Sequence, residues 1–293
     1  MNLLLQLLAN GLVNGAIFAL LACAFGLVYR STRVFHIAFA GLFLIAPYTA
    51  YALNAWLKLP VWLAMVLGMA AGTGSGYLVE RFLYRPFYRR NASAGAVMVA
   101  SLGAMIIIEN VLAMVFGNEH QTMQRGLASR VTLGPVNLTS IQILQFAVAT
   151  VALILLGIAT QRIRVFKAIW AMGDEPELVP VLGMPLMRYR SLVFIISAGL
   201  GGIAGCLIGL DVGVDPNMGM SYLLTAVVAV LAGGIDRYVG WILGGVILAL
   251  LQSIMVWKFS AQWMDLVTFA VLIGVLMFRP QGVMGLRKRL EEE

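Results

Sequence analysis

The sequence predicts an all-α, polytopic integral membrane protein with eight to nine transmembrane helices. Of its 293 residues, 61% are hydrophobic and only 11% are charged, and the mean hydropathy is +0.92. Soluble domains average about 45–50% apolar and about 25% charged residues. The 20 basic and 13 acidic side chains are too few to cover a globule of this size with polar surface. The composition therefore excludes a water-soluble enzyme, a disordered chain and a small disulfide-stabilised scaffold.

Apolar runs near the length of a membrane span are the second observation. A helix needs about 20 mostly apolar residues to cross a bilayer. The sequence contains nine such runs, at residues 3–29, 34–57, 61–79, 96–116, 141–161, 191–210, 221–235, 239–257 and 262–278. The seventh run is short and ends at Asp236 and Arg237, so it predicts a full, a broken or a partial span. Residues 1–293 are predicted to form one transmembrane domain.

The positive charges predict the orientation. With the N-terminus outside and alternating crossings, 16 of the 20 Lys and Arg residues lie on the inside. The four on the outside are Lys58, Arg125, Arg130 and Lys258. Cytoplasmic loops carry an excess of Lys and Arg, so the N-terminus is predicted outside and the C-terminus in the cytoplasm. The same rule explains the net charge of +7 without a nucleic-acid partner.

Residues 162–190 form an inside connection that is longer than a turn requires. Charged residues alternate there with apolar ones, and Pro176, Pro180 and Pro185 divide it into short pieces. This pattern is typical of an amphipathic stretch on the lipid surface. It is equally typical of a short helix that is presented to a cytoplasmic partner.

Motifs for chemistry are absent from the sequence. There is no Gly-x-x-x-x-Gly-Lys-Ser/Thr phosphate loop, no His-x-x-x-His or Cys-x-x-Cys pair, and no Gly-x-Ser-x-Gly elbow. The two cysteines, Cys23 and Cys206, lie within apolar runs and are predicted to be packing residues. We therefore expect no enzymatic activity, no metal and no cofactor in this chain.

Glu109 is the acidic residue that lies deepest in an apolar run. A carboxylate at this depth is expected to face a partner or water. It could contact the ammonium or amide group of a substrate, or it could cap a neighbouring helix. A proton relay needs several such groups, so a single one favours a channel-like conduit or a permease that is driven from elsewhere.

Five segments carry a resemblance to a known family. They are residues 14–20 (Asn-Gly-Ala-Ile-Phe-Ala-Leu), 80–86 (Glu-Arg-Phe-Leu-Tyr-Arg-Pro), 100–103 with Glu109 and Asn110, 231–234 with Gly240, Gly244 and Gly245, and 279–285 (Arg-Pro-Gln-Gly-Val-Met-Gly). With these segments the chain resembles, nearly end to end, the LivH-type permeases of branched-chain amino acid ABC transporters. The Glu-Arg-x-x-Tyr-Arg-Pro segment and the Arg-Pro-Gln-Gly ending are the most specific.

The resemblance implies a permease subunit of a bacterial importer, a multi-pass protein of the inner (plasma) membrane in contact with lipid. It implies three kinds of protein partner: a second related permease subunit, two cytoplasmic ATPase subunits and a periplasmic substrate-binding protein. ATP and Mg²⁺ would be bound by the ATPases and not by this chain. The transport energy would therefore come from other subunits.

The resemblance also implies two groups of site residues. Segment 162–190 corresponds to the cytoplasmic loop that couples such permeases to the ATPase. The implied coupling residues are Lys167, Ala168, Ala171, Gly173, Asp174, Glu175, Leu182 and Gly183. The implied residues of the substrate path are Gly41, Glu109, Asn110, Gly233 and Gly234.

Three departures from the family pattern leave the cargo open. The family usually has Tyr-Gly followed by Asn-Phe-Ala-His-Gly, where this chain has Tyr29 and Arg30 and then Phe-His-Ile-Ala-Phe-Ala-Gly at 35–41. Its usual Gln is Glu109 here, and Gly-Gly-x-Gly-Ser is Gly-Gly-Ile-Asp-Arg at 233–237. The predicted cargo is a branched-chain or other amino acid, with urea, amides or small organic acids as alternatives. A self-sufficient secondary transporter is the other alternative.

Overall fold

Each of the nine apolar runs contains a helix, as predicted. The computed structural model describes residues 2–123, 130–133, 136–175, 178–181, 183–260, 263–279 and 281–284. The elements are α1 (Asn2–Thr32), α2 (Phe39–Ala55), α3 (Val61–Val79), a π-helical turn (Glu80–Tyr84), α4 (Arg85–Arg89), α5 (Ala94–Phe116), β1 (Arg130–Leu133), β2 (Val136–Thr139), α6 (Ser140–Arg162), α7 (Arg164–Asp174), α8 (Leu178–Val181), α9 (Leu186–Asp211), α10 (Met218–Gly233), α11 (Tyr238–Lys258) and α12 (Met264–Phe278). An antiparallel hairpin, β1–β2, is a small addition to the predicted all-α fold.

Six helical stretches in the described part of the chain are long and apolar enough to cross a membrane. They are Leu4–Thr32, Val61–Arg89, Ala94–Phe116, Ser140–Arg162, Leu186–Asp211 and Tyr238–Lys258. Three apolar helices, α2, α10 and α12, are shorter, with 17, 16 and 15 residues. At 1.5 Å per residue these span about 23–26 Å, which is less than the roughly 30 Å of hydrocarbon in a bilayer.

Helix α1 lies at the centre of the bundle, where it packs against α11, α9, α10 and α6. Small residues make this possible, since Ala19, Ala22 and Ala24 are fully buried along its middle. By contrast, α5 packs on little besides α2 and exposes large apolar side chains such as Ile107 and Met114. An apolar surface of this kind suits a lipid environment.

Glycine faces bring helices together in this bundle. A Cβ at Gly240 would meet the backbone of Gly233, and a Cβ at Gly244 would meet the backbone of Ala229. Helices α10 and α11 therefore cross with their backbones almost in contact. Lipid provides no hydrophobic drive for helix association, so close backbone approach is what packs these helices.

We expect Gly245→Leu to destabilise the bundle strongly, because a side chain there would meet the backbone of Phe18 and Ala19 in α1. Overpacking of this kind costs about 1–3 kcal/mol or more. Thermal unfolding of the detergent-solubilised protein measures the loss. Gly274→Leu in α12 is the matched control, because nothing lies within 4 Å of a Cβ at Gly274. Equal melting temperatures for the two variants would contradict this account of the packing.

The two ends of the bundle differ in charge. We call the end that holds the C-terminal end of α1, helix α7 and the start of α11 the basic end, and the end that holds β1–β2 the hairpin end. Most described Lys and Arg residues lie at the basic end. The described exceptions are Lys58, Arg130 and Lys258. Arg125 and the 287–289 cluster lie outside the described residues.

Candidate functional site

Helix α7 is the amphipathic helix that the sequence predicted within residues 162–190. Its apolar face is turned into the bundle, with Ile169 and Met172 at 0% and 1% exposure and Phe166 at 7%. Lys167 and Ala171, which lie one turn apart on the opposite face, are exposed. The three- and four-residue spacing of the apolar positions produces this division. Because its apolar face is already occupied by protein, α7 has no apolar face left for a lipid surface.

The structure divides the predicted coupling residues into an exposed and a buried group. We call the exposed face of α7 the α7 surface; its residues are Arg164, Lys167, Ala171 and Asp174, with Glu175 directly after the helix. Ala168 and Gly173 are buried against the bundle. Gly183 is exposed in a turn with a φ of 75°, and Leu182 lies outside the described residues.

Arg30 clamps the C-terminal end of α7 to α1. It is 4% exposed, and its Nη2 donates to Asp174 Oδ1 at 2.5 Å. Its Nε forms a second ion pair, at 3.2 Å, with Asp236 Oδ1 in the α10–α11 connection. One buried guanidinium thus joins α1, α7 and the α10–α11 connection.

Two further contacts tighten this clamp. Arg33 Nη2 donates to the carbonyl oxygen of Gly173 at 3.3 Å, which places a cation at the negative end of the α7 dipole. Gly173 has no room for a side chain, because a Cβ there would meet the backbone of Arg30. Asp174 therefore anchors α7 within this chain besides contributing to its exposed surface.

Sequence reasoning missed the role of Arg30. The sequence places it among the positive charges that set topology, because a basic residue at the end of an apolar run is ordinarily explained that way. One signal in the sequence could have pointed to this role: Arg30 stands where the family pattern has a glycine. The pairing with Asp174 joins residues 144 positions apart, which no local pattern shows.

Aromatic rings connect the middle of α7 to α11. The rings of Trp170 and Trp241 have centroids 5.7 Å apart. Trp241 is fully buried, and its Nε1 donates to the carbonyl oxygen of Ile235 at 3.1 Å. Movement of α7 would therefore be transmitted to the start of α11 as well as to the end of α1.

The Glu-Arg-x-x-Tyr-Arg-Pro segment forms the π-helical turn. The amide of Arg85 donates to the carbonyl oxygen of Glu80, five residues earlier, and this wider turn places the two side chains together. Glu80 is fully buried, and its Oε2 accepts from Arg85 Nη2 at 3.1 Å and from Ser191 Oγ at 2.8 Å. The buried Glu80 carboxylate thus fixes the basic end of α3 against the start of α9.

The tyrosine of the same segment holds the α1–α2 connection. Tyr84 OH lies 2.6 Å from Ser101 Oγ and 2.6 Å from His36 Nδ1, and Ser101 Oγ accepts from the amide of Ala38 at 2.8 Å. The network ties α5 and the π-helical turn to non-helical backbone between α1 and α2.

The residues predicted for the substrate path do not form one cluster. Gly41 in α2 packs on Ile108 of α5, next to Glu109 and Asn110. Glu109 has one buried oxygen, Oε1, without a hydrogen-bond partner in the described part of the chain. Asn110 is exposed, and its Nδ2 donates back to the carbonyl oxygen of Ile106 at 2.8 Å. Gly233 and Gly234 lie apart from these, at the end of α10 that packs on Gly240 and Gly282.

A polar cavity that sequence reasoning missed lies toward the hairpin end. It has a volume of about 420 Å³ and is lined by residues of α1, α6, α9, α10, α11 and α12, with Val212 after α9. Its polar lining residues are Asn14, Gln145, Asp211, Ser221, Tyr222, Thr225 and Gln252. These residues lie on five different helices, so only the fold brings them together. Among the residues described, no group of three or more His, Cys, Asp or Glu could hold a metal ion.

The sequence matches the model of a known family over residues 7–276, described as branched-chain amino acid transport system / permease component. The chain is 28% identical to the high-affinity branched-chain amino acid transport system permease protein BraD of Pseudomonas aeruginosa, over 96% of this chain and 95% of that protein. It is 26% identical to the corresponding protein LivH of Escherichia coli K12, with the same coverage. Its fold is similar to a chain of PsaBC from Streptococcus pneumoniae in complex with Fab, with a TM-score of 0.53, 14% identity, and coverage of 93% and 91% of the two chains. The chain therefore belongs to the permease-component family of branched-chain amino acid transport systems.

Proposed function

We propose that this chain is the membrane-spanning permease subunit of a binding-protein-dependent ABC importer for branched-chain amino acids. The family match over residues 7–276 supports the class, and the names of BraD and LivH support the cargo. The main support for the proposed mechanism is the position of α7. Its apolar face is buried in the bundle, and its charged face is exposed. A helix held in this way is suited to receive a movement from a protein outside the membrane.

The charge asymmetry supports an orientation with the basic end in the cytoplasm and the hairpin end outside. In this orientation all nine apolar helices cross the membrane, and buried non-helical backbone completes α2. The α1–α2 connection fits this proposal, because His36 and Ala38 are 1% and 0% exposed and the Ala38 amide is bonded to Ser101. Non-helical backbone is tolerated at membrane depth where protein surrounds it.

In the proposed mechanism, cytoplasmic ATPases bind the α7 surface and move α7 when they hydrolyse ATP. The Arg30 clamp and the Trp170–Trp241 contact would pass this movement to α1 and α11. Because α1 lies at the centre of the bundle, a shift of its end changes the packing of α9, α10 and α6 as well. A second permease subunit and a periplasmic binding protein would complete the importer in the bacterial inner membrane.

For the substrate path, we propose two regions of this chain. Glu109, Asn110 and Gly41 would belong to a path along α2 and α5, and Gly233 and Gly234 would line its cytoplasmic exit. The unpartnered oxygen of Glu109 supports a role toward a passing cargo rather than a capping role.

Reconstitution into proteoliposomes tests this function. We expect uptake of radiolabelled leucine only when the chain is assembled with its ATPases, the second permease and the binding protein, and only with ATP. Leucine uptake by this chain alone along an ion gradient would contradict the proposal and favour a secondary transporter. Uptake of urea, an amide or an organic acid in place of leucine would contradict the proposed cargo.

A further inference from the structure

Two adjacent cavities lie along one side of the bundle. The first, which we call the α6–α11 groove, has a volume of about 460 Å³ and is lined by mostly apolar residues of α1, α6 and α11. The second, which we call the basic-end cavity, has a volume of about 540 Å³ and lies between α6, α7 and the start of α11. Gln161 and Tyr238 line both cavities, so the groove leads directly into the basic-end cavity.

The α6–α11 groove opens to the outside of the bundle. Helices α6 and α11 each pack on α1, whose buried Ala16 and Ala19 line the groove. Ile154 also lines it and is 56% exposed. The lining residues Phe146 and Gln161 are about 22 Å apart along α6 at 1.5 Å per residue. Half of the roughly 30 Å hydrocarbon core is shorter than this, so a lipid chain of one leaflet can lie along the groove.

The basic-end cavity has an excess of positive charge. Lys167 of α7 and Arg237 before α11 line it, and both are exposed. Neither side chain forms an ion pair within the described part of the chain. Asp236 also lines the cavity, but its Oδ1 is paired with Arg30 Nε at 3.2 Å. Two cations beside one paired carboxylate favour an anion.

Aromatic side chains lie where the groove meets the basic-end cavity. Tyr238 OH donates to the carbonyl oxygen of Leu153, so this side chain connects α11 to α6 at the junction. Trp170 of α7 lines the basic-end cavity beside it. Tyr and Trp are enriched at the level of the lipid headgroups. The junction therefore has the composition of a membrane–water interface, with an apolar groove on one side and cations on the other.

We propose that the α6–α11 groove and the basic-end cavity together bind one anionic phospholipid. An acyl chain lies in the groove, where burial of its apolar surface stabilises it, and the phosphate lies beside Lys167 and Arg237. Basic pockets between membrane helices attract anionic headgroups in this way. The lipid would contact α6, α7 and α11 together and fill the space between them. This inference depends on the membrane location of the chain and not on its cargo.

Lipid binding to the detergent-solubilised full-length protein tests the site. The protein is titrated with phosphatidylglycerol and with phosphatidylcholine of the same chain length, and native mass spectrometry measures the bound lipid. We expect the first phosphatidylglycerol to bind at least fivefold more tightly than phosphatidylcholine. Millimolar glycerol 3-phosphate, which has a phosphate but no acyl chain, should not displace it. Equal binding of the two lipids would overturn the proposal, and displacement by glycerol 3-phosphate would show a site for a free anion instead.

Removal of the two cations tests the headgroup contact. Lys167→Gln combined with Arg237→Gln should weaken phosphatidylglycerol binding at least fivefold and change phosphatidylcholine binding less than twofold. Arg89→Gln combined with Arg90→Gln is the matched control, because it removes two exposed arginines of the basic end that line neither cavity. An equal loss in both double variants would overturn the assignment of the phosphate to this cavity.

Filling the groove tests the acyl-chain contact. Thr150 lines the groove, and Thr150→Trp should weaken the binding of both lipids at least threefold. Val151→Trp is the matched control on the same helix, because Val151 is 54% exposed and lines neither cavity. Melting temperatures without added lipid identify the folded variants, and Ile154→Trp replaces Thr150→Trp if that variant does not fold. Unchanged phosphatidylglycerol binding by the folded groove variant would overturn the proposal.

Discussion

Replacing Arg30 with methionine is expected to reduce leucine uptake at least tenfold while the protein still inserts and assembles. Arg30 is the buried partner of two carboxylates, Asp174 at 2.5 Å and Asp236 at 3.2 Å. Breaking a buried ion pair costs about 3–5 kcal/mol. Because the two carboxylates are 60% and 39% exposed and water can solvate them, we expect about 1–3 kcal/mol here. This loss would free the end of α7 without unfolding the bundle.

Three comparisons make the Arg30 prediction specific. Arg237→Met is the control, because Arg237 is an exposed arginine of the basic end and its variant should retain uptake. Asp174→Asn should show a smaller loss than Arg30→Met. Combined with Arg30→Met, it should add almost nothing, because residues of one ion pair are not additive. Fully additive losses would contradict the clamp.

Charge reversal on the α7 surface is expected to abolish stimulation of the ATPases by loaded binding protein. Lys167→Glu combined with Glu175→Lys changes two exposed side chains, and such changes usually cost less than about 0.5 kcal/mol of stability. The expected loss is therefore in partner binding and not in folding. ATP hydrolysis by the reconstituted importer measures it, and we expect at least a fivefold loss of stimulation.

Arg89→Glu is the matched control for charge reversal, because Arg89 is exposed at the basic end but belongs to α4. We expect this variant to be stimulated normally. An equal loss in both variants would point to the general charge of the basic end rather than to the α7 surface. Normal stimulation of the double variant would exclude α7 as the contact.

The helices were predictable because composition and run length dictate them. Each apolar run contains one helix, and even the short seventh run is reflected in the 16 residues of α10. These features depend on local sequence, since a span must satisfy its own backbone hydrogen bonds.

The site was predictable only in part. Alternation of charged and apolar residues indicated α7, and its proline-rich continuation indicated short pieces. The clamp, the π-helical turn and the polar cavity were not predictable, because each depends on residues far apart in sequence. Gln145 and Gln252 are 107 positions apart, and neither position differs locally from any other polar residue in an apolar helix.

Cross-linking from the α7 surface tests the central claim most directly. Ala171→Cys places a reactive thiol in the middle of that surface, while the native Cys23 and Cys206 are buried. In the assembled importer, a short maleimide cross-linker should join Ala171→Cys to an ATPase subunit, with a yield that changes when ATP binds. Ser221→Cys, at the hairpin end, should give no such product. Failure of Ala171→Cys to capture an ATPase in an importer that transports leucine would contradict the proposal that α7 receives the driving movement.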